Sequence, residues 1–297
     1  MTVVNQNRTF GVEMEFNKSN TSTTLQELTR RIDIALKFED FKGCIYHQYT
    51  HDIMETWKVV NDGSVSGGEC VSPILSIAKN GFRQIEIVTK VIKESGFNVN
   101  GTDAGLHIHQ DANDLTVRQV GHIFGLYASF QTLISSSLAP SRRRDNDYCA
   151  TESYRNMRDH TAKSWNNTST KKLAKTEVRQ IADKTRKFSR FSALNIESLS
   201  KYGTIEFRQH QGTLNADKII SWVLITQAMI ERFVQHNMTW VAPKTQGIDS
   251  TKSDWIRFQR ALKVTSTATN GQANADVYAN AFKFMKANIK KFARTAR

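Results

Sequence analysis

Proline is nearly missing from this chain, with three in 297 residues. Few positions therefore interrupt a helix or a strand, and long regular elements are allowed. Cysteine is equally scarce. Cys44, Cys70 and Cys149 are odd in number and show no C-x-x-C spacing, which argues against a disulfide framework and a cysteine zinc site and for a reducing compartment. No apolar run approaches the ~18 residues of a membrane-spanning helix. The first residues, Met1 to Arg8, carry no apolar core of a signal peptide. A soluble, cytoplasmic protein with no membrane partner is expected. Two phosphate-binding signatures are also missing: the G-x-x-x-x-G-K-[ST] loop and a G-x-G-x-x-G after a strand. Any ATP must then be held by metal ions and basic side chains. No internal repeat is visible. The hydrophobic fraction of 39% suffices for a packed core, and the length allows one large domain or two small ones.

Positive charge, by contrast, is in excess. The net charge of +13 serves solubility and also favours anionic partners: a nucleotide, an acidic substrate or nucleic acid. It concentrates at Arg142-Arg143-Arg144, over Lys163–Arg190, and in Lys283–Arg297. In the last segment Phe282, Met285, Ile289 and Phe292 recur at helical spacing, so a basic helix docks one face and exposes its lysines.

The most informative residues are four short polar groupings in a fixed order: Glu13-Met14-Glu15, Asp62 with Glu69, His107-Ile108-His109, and Glu206-Phe207-Arg208. Three of them place polar groups two apart inside apolar sequence, which on a strand puts both on one face. Two charges on one face of an apolar strand are costly without a counter-ion or solvent. A solvated strand face explains any one pair; the joint set describes a trough of carboxylates and imidazoles. Such a trough suits Mg²⁺ or Mn²⁺ with positions left open for phosphate oxygens. Arg208 adds a fixed cation able to meet a phosphate bidentately.

The intervening sequence sorts into elements. Strands are predicted at Thr9–Phe16, Trp57–Asn61, Glu69–Ser72, Leu106–Gln110, Ser192–Ile196 and Thr204–Gln209, the last two joined by a turn at Lys201–Gly203. Helices are predicted at Thr24–Lys37, with a Thr24-x-x-Glu27 capping box, at Asn80–Glu94, from Asp114 or Thr116 to Leu138, at Ala216–His236, and twice beyond Pro243. The fold class is α+β, a mostly antiparallel sheet with helices packed on one face. The expected organisation is a catalytic domain over residues 1–240, with 141–190 as a helical or loop insertion over the site, and a basic helical extension over 241–297.

The ordered set Gly-Val-Glu-Met-Glu-Phe, Asp-Gly-Ser…Gly-Glu-Cys-Val-Ser-Pro, Gly-Leu-His-Ile-His and Thr-Ile-Glu-Phe-Arg…Gly-Thr-Leu resembles the amidoligase family. That family belongs to the carboxylate–amine ligase superfamily with glutamine synthetase and glutamate–cysteine ligase. The resemblance spans about Phe10 to Val234. It implies a glutamine synthetase-like catalytic fold and ATP-dependent amide formation: ATP phosphorylates a small-molecule or peptide carboxylate, and an amine attacks the acyl phosphate. It also implies that Glu15 and Glu69 ligate one metal, and that Glu13, His107 and Glu206 ligate the ion nearer the phosphates. By the same resemblance Arg208 meets the transferred phosphate and His109 contacts ATP. Asp62 and Ser64 read equally as a structural turn. Arg142, Asn146 and Tyr148 are candidates for substrate contact, against the default of a basic loop. Only twelve residues precede Glu13, so the separate N-terminal domain of glutamine synthetase is not expected. Reduction of the later glutamates to Asp62 and Glu69 leaves the number of metals open.

Two rival classes compete with this reading. Gly101-x₅-His107-x-His109 with Gly121 resembles the opening of a cupin oxygenase motif, but Asp114 replaces the glutamate ligand and a helix follows where a jelly roll needs strands. A basic nucleic-acid-binding protein fits the charge, but no binding motif accompanies it. A ligase acting on a nucleic-acid-bound substrate would combine the two readings. The sequence names neither the acid nor the amine.

Overall fold

The computed structural model describes residues 2–143, 146–150, 190–236, 252–264 and 272–293. The chain forms two compact units: Gln6–His109 with His210–Val223, and Met1–Asn5 with Gln110–Gln209 and Leu224–Arg297.

The first unit holds β1 (Phe10–Lys18), α1 (Leu25–Phe38), β2 (Cys44–His47), β3 (Trp57–Val60), β4 (Gly68–Val71), α2 (Gly81–Glu94), β5 (Phe97–Asn98) and most of β6 (Gly105–Asp111). Its strands run in the order β2-β3-β4-β1-β6, with β5 on the end of β1. Among the registers, β1–β4, β3–β4 and β1–β5 are antiparallel, and β2–β3 is parallel. Alternation on β1 explains its two faces. Phe10, Val12, Met14 and Phe16 are buried, and this face meets the helices. Phe10 packs on Phe82 of α2 at 5.9 Å, and the Trp57 indole donates to Gln84 of α2. Thr24 caps α1 by accepting from the Glu27 N–H at 3.1 Å, an interaction worth about 1 kcal/mol. The Glu27 carboxylate itself turns to Arg30 and Arg31.

The second unit holds α3 (Val117–Ser129), α4 (Gln131–Ser136), β7 (Leu194–Asn195), α5 (Glu197–Tyr202), most of β8 (Thr204–Gln211), α6 (Ala216–Val234, entering from the first unit), α7 (Lys252–Leu262) and α8 (Gln272–Ala293). β7 and β8 are antiparallel. Its aromatic core joins Phe130 to Phe258 at 4.9 Å and Trp255 to Phe282 at 5.2 Å. The basic helix foreseen over Phe282–Phe292 is α8; Phe282, Met285 and Phe292 are buried.

The mixed α+β class and the mostly antiparallel sheet agree with the sequence reading. Four local differences have physical causes. β2 and β5 are four and two residues long, too short to show periodicity. The helix predicted to reach Leu138 breaks at Phe130, where the backbone leaves helical geometry and α4 starts anew. The predicted turn at Lys201–Gly203 is the end of α5, closed by Gly203 in the left-handed conformation. Residues 144, 145 and 151–189, most of the expected insertion, lie outside the described residues.

Candidate active site

Glu13 and Glu15 sit on β1 on the face opposite Met14, away from α1 and α2. Across the sheet Glu15 stands directly opposite Glu69 of β4, and Glu13 opposite Val71. Two carboxylates in a directly opposed antiparallel pair repel each other, so the sequence accepts a cost here that an apolar pair would avoid. His107 of β6 lies between the two glutamates of β1. Its Nδ1 is 3.1 Å from Glu13 Oε2 and its Nε2 is 3.7 Å from Glu15 Oε1. His109, two residues on, places Nε2 3.3 Å from Glu13 Oε1. The Gly105 N–H donates to Glu15 Oε2 at 2.6 Å, which fixes that carboxylate and leaves its second oxygen toward His107. Glu15 and His107 are buried.

One oxygen each from Glu15 and Glu69 and one imidazole nitrogen of His107 lie within 4.8 Å of one another. Two hard oxygen donors and an imidazole on rigid strands fit Mg²⁺ or Mn²⁺. A divalent cation would also relieve the Glu15–Glu69 repulsion. Burial alone would raise the Glu13 carboxyl, but the His109 charge and hydrogen bonds from His107 and His109 outweigh it and hold Glu13 well below the usual carboxylate range.

In the other unit, Glu206 and Arg208 share a face of β8. Glu206 is buried and accepts from Asn195 Nδ2 at 2.6 Å, its register partner on β7. Its second oxygen accepts from Arg208 Nη1. Arg208 Nε donates to the Tyr148 carbonyl at 3.4 Å. Asn195 was missed by the sequence reading. Its strand was expected within Ser192–Ile196, but only the β7–β8 register reveals the contact.

The remaining sequence candidates have structural contacts. Asp62 accepts from the Ser64 N–H at 2.7 Å and from its hydroxyl at 2.6 Å, closing a turn. Asn146 accepts from the N–H groups of Tyr148 and Cys149 and donates to the Ser141 carbonyl. Arg142 is buried, and its Nη2 donates to the Arg208 carbonyl at 2.9 Å.

Residues 6–230 match the family described as "Putative amidoligase enzyme". The chain belongs to this amidoligase family. Two solved structures are similar at low identity. One is the complex between the prokaryotic ubiquitin-like protein Pup and its ligase PafA: 12% identity, TM-score 0.43, covering 98% of this chain and 65% of that one. The other is a bifunctional glutathione synthetase from Pasteurella multocida: 13% identity, TM-score 0.46, covering 97% and 47%. The chain thus spans about two thirds and about half the length of these two proteins. No curated protein sequence matches. Among the described residues no helix is long and apolar enough to cross a membrane. α3 follows Asp114 where a cupin would need strands.

Proposed function

We propose that this chain is an ATP- and divalent metal-dependent carboxylate–amine ligase that works through an acyl phosphate. The observation that carries the reading is the opposed Glu15–Glu69 pair with His107 at its edge, in a chain of the amidoligase family. A substrate carboxylate oxygen attacks the γ-phosphorus of ATP, the bond to ADP breaks, and an acyl phosphate forms. The amine then attacks the acyl carbon, phosphate leaves, and the amine loses a proton to give the amide.

Glu15, Glu69 and His107 would hold one ion; Glu13, His107 and Glu206 are assigned to a second, following the resemblance in their motifs. Mg²⁺ or Mn²⁺ supplies charge neutralisation for phosphoryl transfer when bound. The chain's own groups do the rest. Arg208 offers a planar guanidinium to the transferred phosphate, and Glu206 holds that guanidinium through Nη1. The low Glu13 carboxyl keeps a negative ligand in place at neutral pH. His109 is assigned to ATP contact. The acid is a small molecule or a peptide. The comparisons lend no support to a nucleic-acid partner, and the positive field is read as attraction for ATP and an acidic substrate.

The test is thermal stability with Mg²⁺ and a non-hydrolysable ATP analogue, wild type against Glu206→Gln. Ligand at about 100 times its dissociation constant stabilises by roughly 2.7 kcal/mol. A shift in the wild type that Glu206→Gln loses, together with loss of ATP turnover in that variant, is the expected result. A shift in neither protein, or unchanged turnover in the variant, overturns the reading.

A further inference from the structure

Arg142 is exposed over only 2% of its surface. No carboxylate pairs with its guanidinium among the described residues, and its Nε has no hydrogen-bond partner. Burying a cation in this way is costly, and a surface-loop arginine would ordinarily turn to water. What it does instead is bond backbone: Nη2 donates to the Arg208 carbonyl at 2.9 Å. The bond is answered in the opposite direction. Gln209, the residue after Arg208, donates from Nε2 to the Arg142 carbonyl at 3.2 Å. The thiol of Cys149 also lies 3.9 Å from that carbonyl.

Gln209 is itself fixed. Its side-chain oxygen accepts from Tyr127 Oη at 2.7 Å and from Gln131 Nε2 at 2.8 Å, and its nitrogen also reaches Ser135 Oγ at 3.0 Å. The other attachments of Arg208 belong to the same construction. Its N–H donates to the Ala193 carbonyl at 2.9 Å. Its Nε donates to the carbonyl of Tyr148, whose own N–H is capped by Asn146. Arg208 is therefore held at its amide, its carbonyl and its side chain, and two of those three contacts come from residues 142–148.

We infer that Arg142 and Gln209 form a reciprocal clamp that orients Arg208, making Arg142 a positioning residue for phosphate binding rather than a substrate contact. The inference rests on the ligase reading above. A guanidinium must meet three phosphate oxygens in fixed geometry, and an arginine whose backbone is free to tilt loses alignment even when its charge remains.

The experiment is a double-mutant cycle. Affinity for the Mg²⁺ complex of a non-hydrolysable ATP analogue is measured by titration calorimetry in wild type, Arg142→Met, Arg208→Ala and the double variant. Loss of a hydrogen bond to a charged group weakens binding about ten- to a hundredfold, and that is expected for Arg142→Met. The double variant is expected to bind no more weakly than Arg208→Ala alone, because the effect of Arg142 passes through Arg208. Mn²⁺ binding without nucleotide should be unchanged in Arg142→Met, which also shows that the variant is folded. Should Arg142→Met fail to fold, Arg142→Gln takes its place with the same expectation. Additive losses would give Arg142 an independent contact and overturn the clamp, and so would unchanged affinity in Arg142→Met or Arg142→Gln. An absence of analogue binding in the wild type is a separate outcome, and it removes the ligase reading together with the clamp.

Discussion

At the scale of single residues, the candidate site is defined by what its charges meet. Glu13 stays ionised because two imidazoles face it, and Glu15 is pinned by a backbone N–H. The opposite case lies outside the site, at His122 on α3. Burial and the charge of Arg118 one turn earlier push His122 down to about 4. Among the described residues its Nε2 is buried without a hydrogen-bond partner, and its ring lies 5.8 Å from that of Phe233. The folded protein thus binds this proton less readily than the unfolded chain does. The resulting stability is present in full above the unfolded value of 6.5 and is lost as pH falls toward about 4. The loss amounts to roughly 3 kcal/mol at most. His122→Phe should flatten the urea stability curve across that window, and an unchanged slope would refute the assignment.

At the scale of elements, the β1–β4 pairing carries the site, and two glycines set how closely the β4 end approaches β1 on one side and β3 on the other. A Cβ on Gly67 would lie 2.3 Å from the Phe16 carbonyl oxygen, and one on Gly68 would lie 2.7 Å from that of Val60. Phe16 pairs with Gly68 in the row next to Glu15 and Glu69. Gly67→Ala should therefore push β4 off β1, costing roughly 2–3 kcal/mol by urea denaturation and weakening Mn²⁺ binding with it. A variant as stable as wild type would show that the ribbon absorbs the methyl. Much of this scale was legible beforehand. β1, β6 and β8 announce themselves because each couples period-two apolar residues to paired ligand types, and Thr24 and Thr116 both cap the helices they precede. What stayed hidden was non-local. Asn195 reaches Glu206 only through register, and the break falls at Phe130, a core residue packed against Phe258, with no proline or glycine at 129–131 to announce it. Likewise Arg142 reads in sequence as one of three exposed arginines, and nothing nearby in sequence foretells its bond to Arg208.

At the scale of the whole molecule, the three cysteines report on both units. Cys44 and Cys70 lie in the unit of the carboxylate cluster and Cys149 in the other, and all three are free and buried. Burial raises the Cys44 thiol to about 12 and pushes Cys70 up as well. The native protein should therefore resist thiol reagents at neutral pH. In urea below the unfolding midpoint, Mn²⁺ should slow labelling at Cys70, which adjoins Glu69, more than at Cys149. Equal protection would mean that the units open together, and no protection would argue against the metal assignment.

β6 and β8 are made far apart in time. Residues 112–203 separate them in the chain, yet the Gly212 N–H bonds the Ala104 carbonyl within the first unit and the Ala112 N–H bonds the Gly203 carbonyl within the second. During synthesis at about 5–20 residues per second, β6 waits roughly 5–20 s before its partner emerges. Throughout that interval a strand bearing Leu106, Ile108 and two histidines presents an open edge, the kind of edge that recruits other chains. The nascent protein is thus prone to aggregate while residues 112–203 are being made, and slowing the ribosome between these two strands would lengthen the exposure.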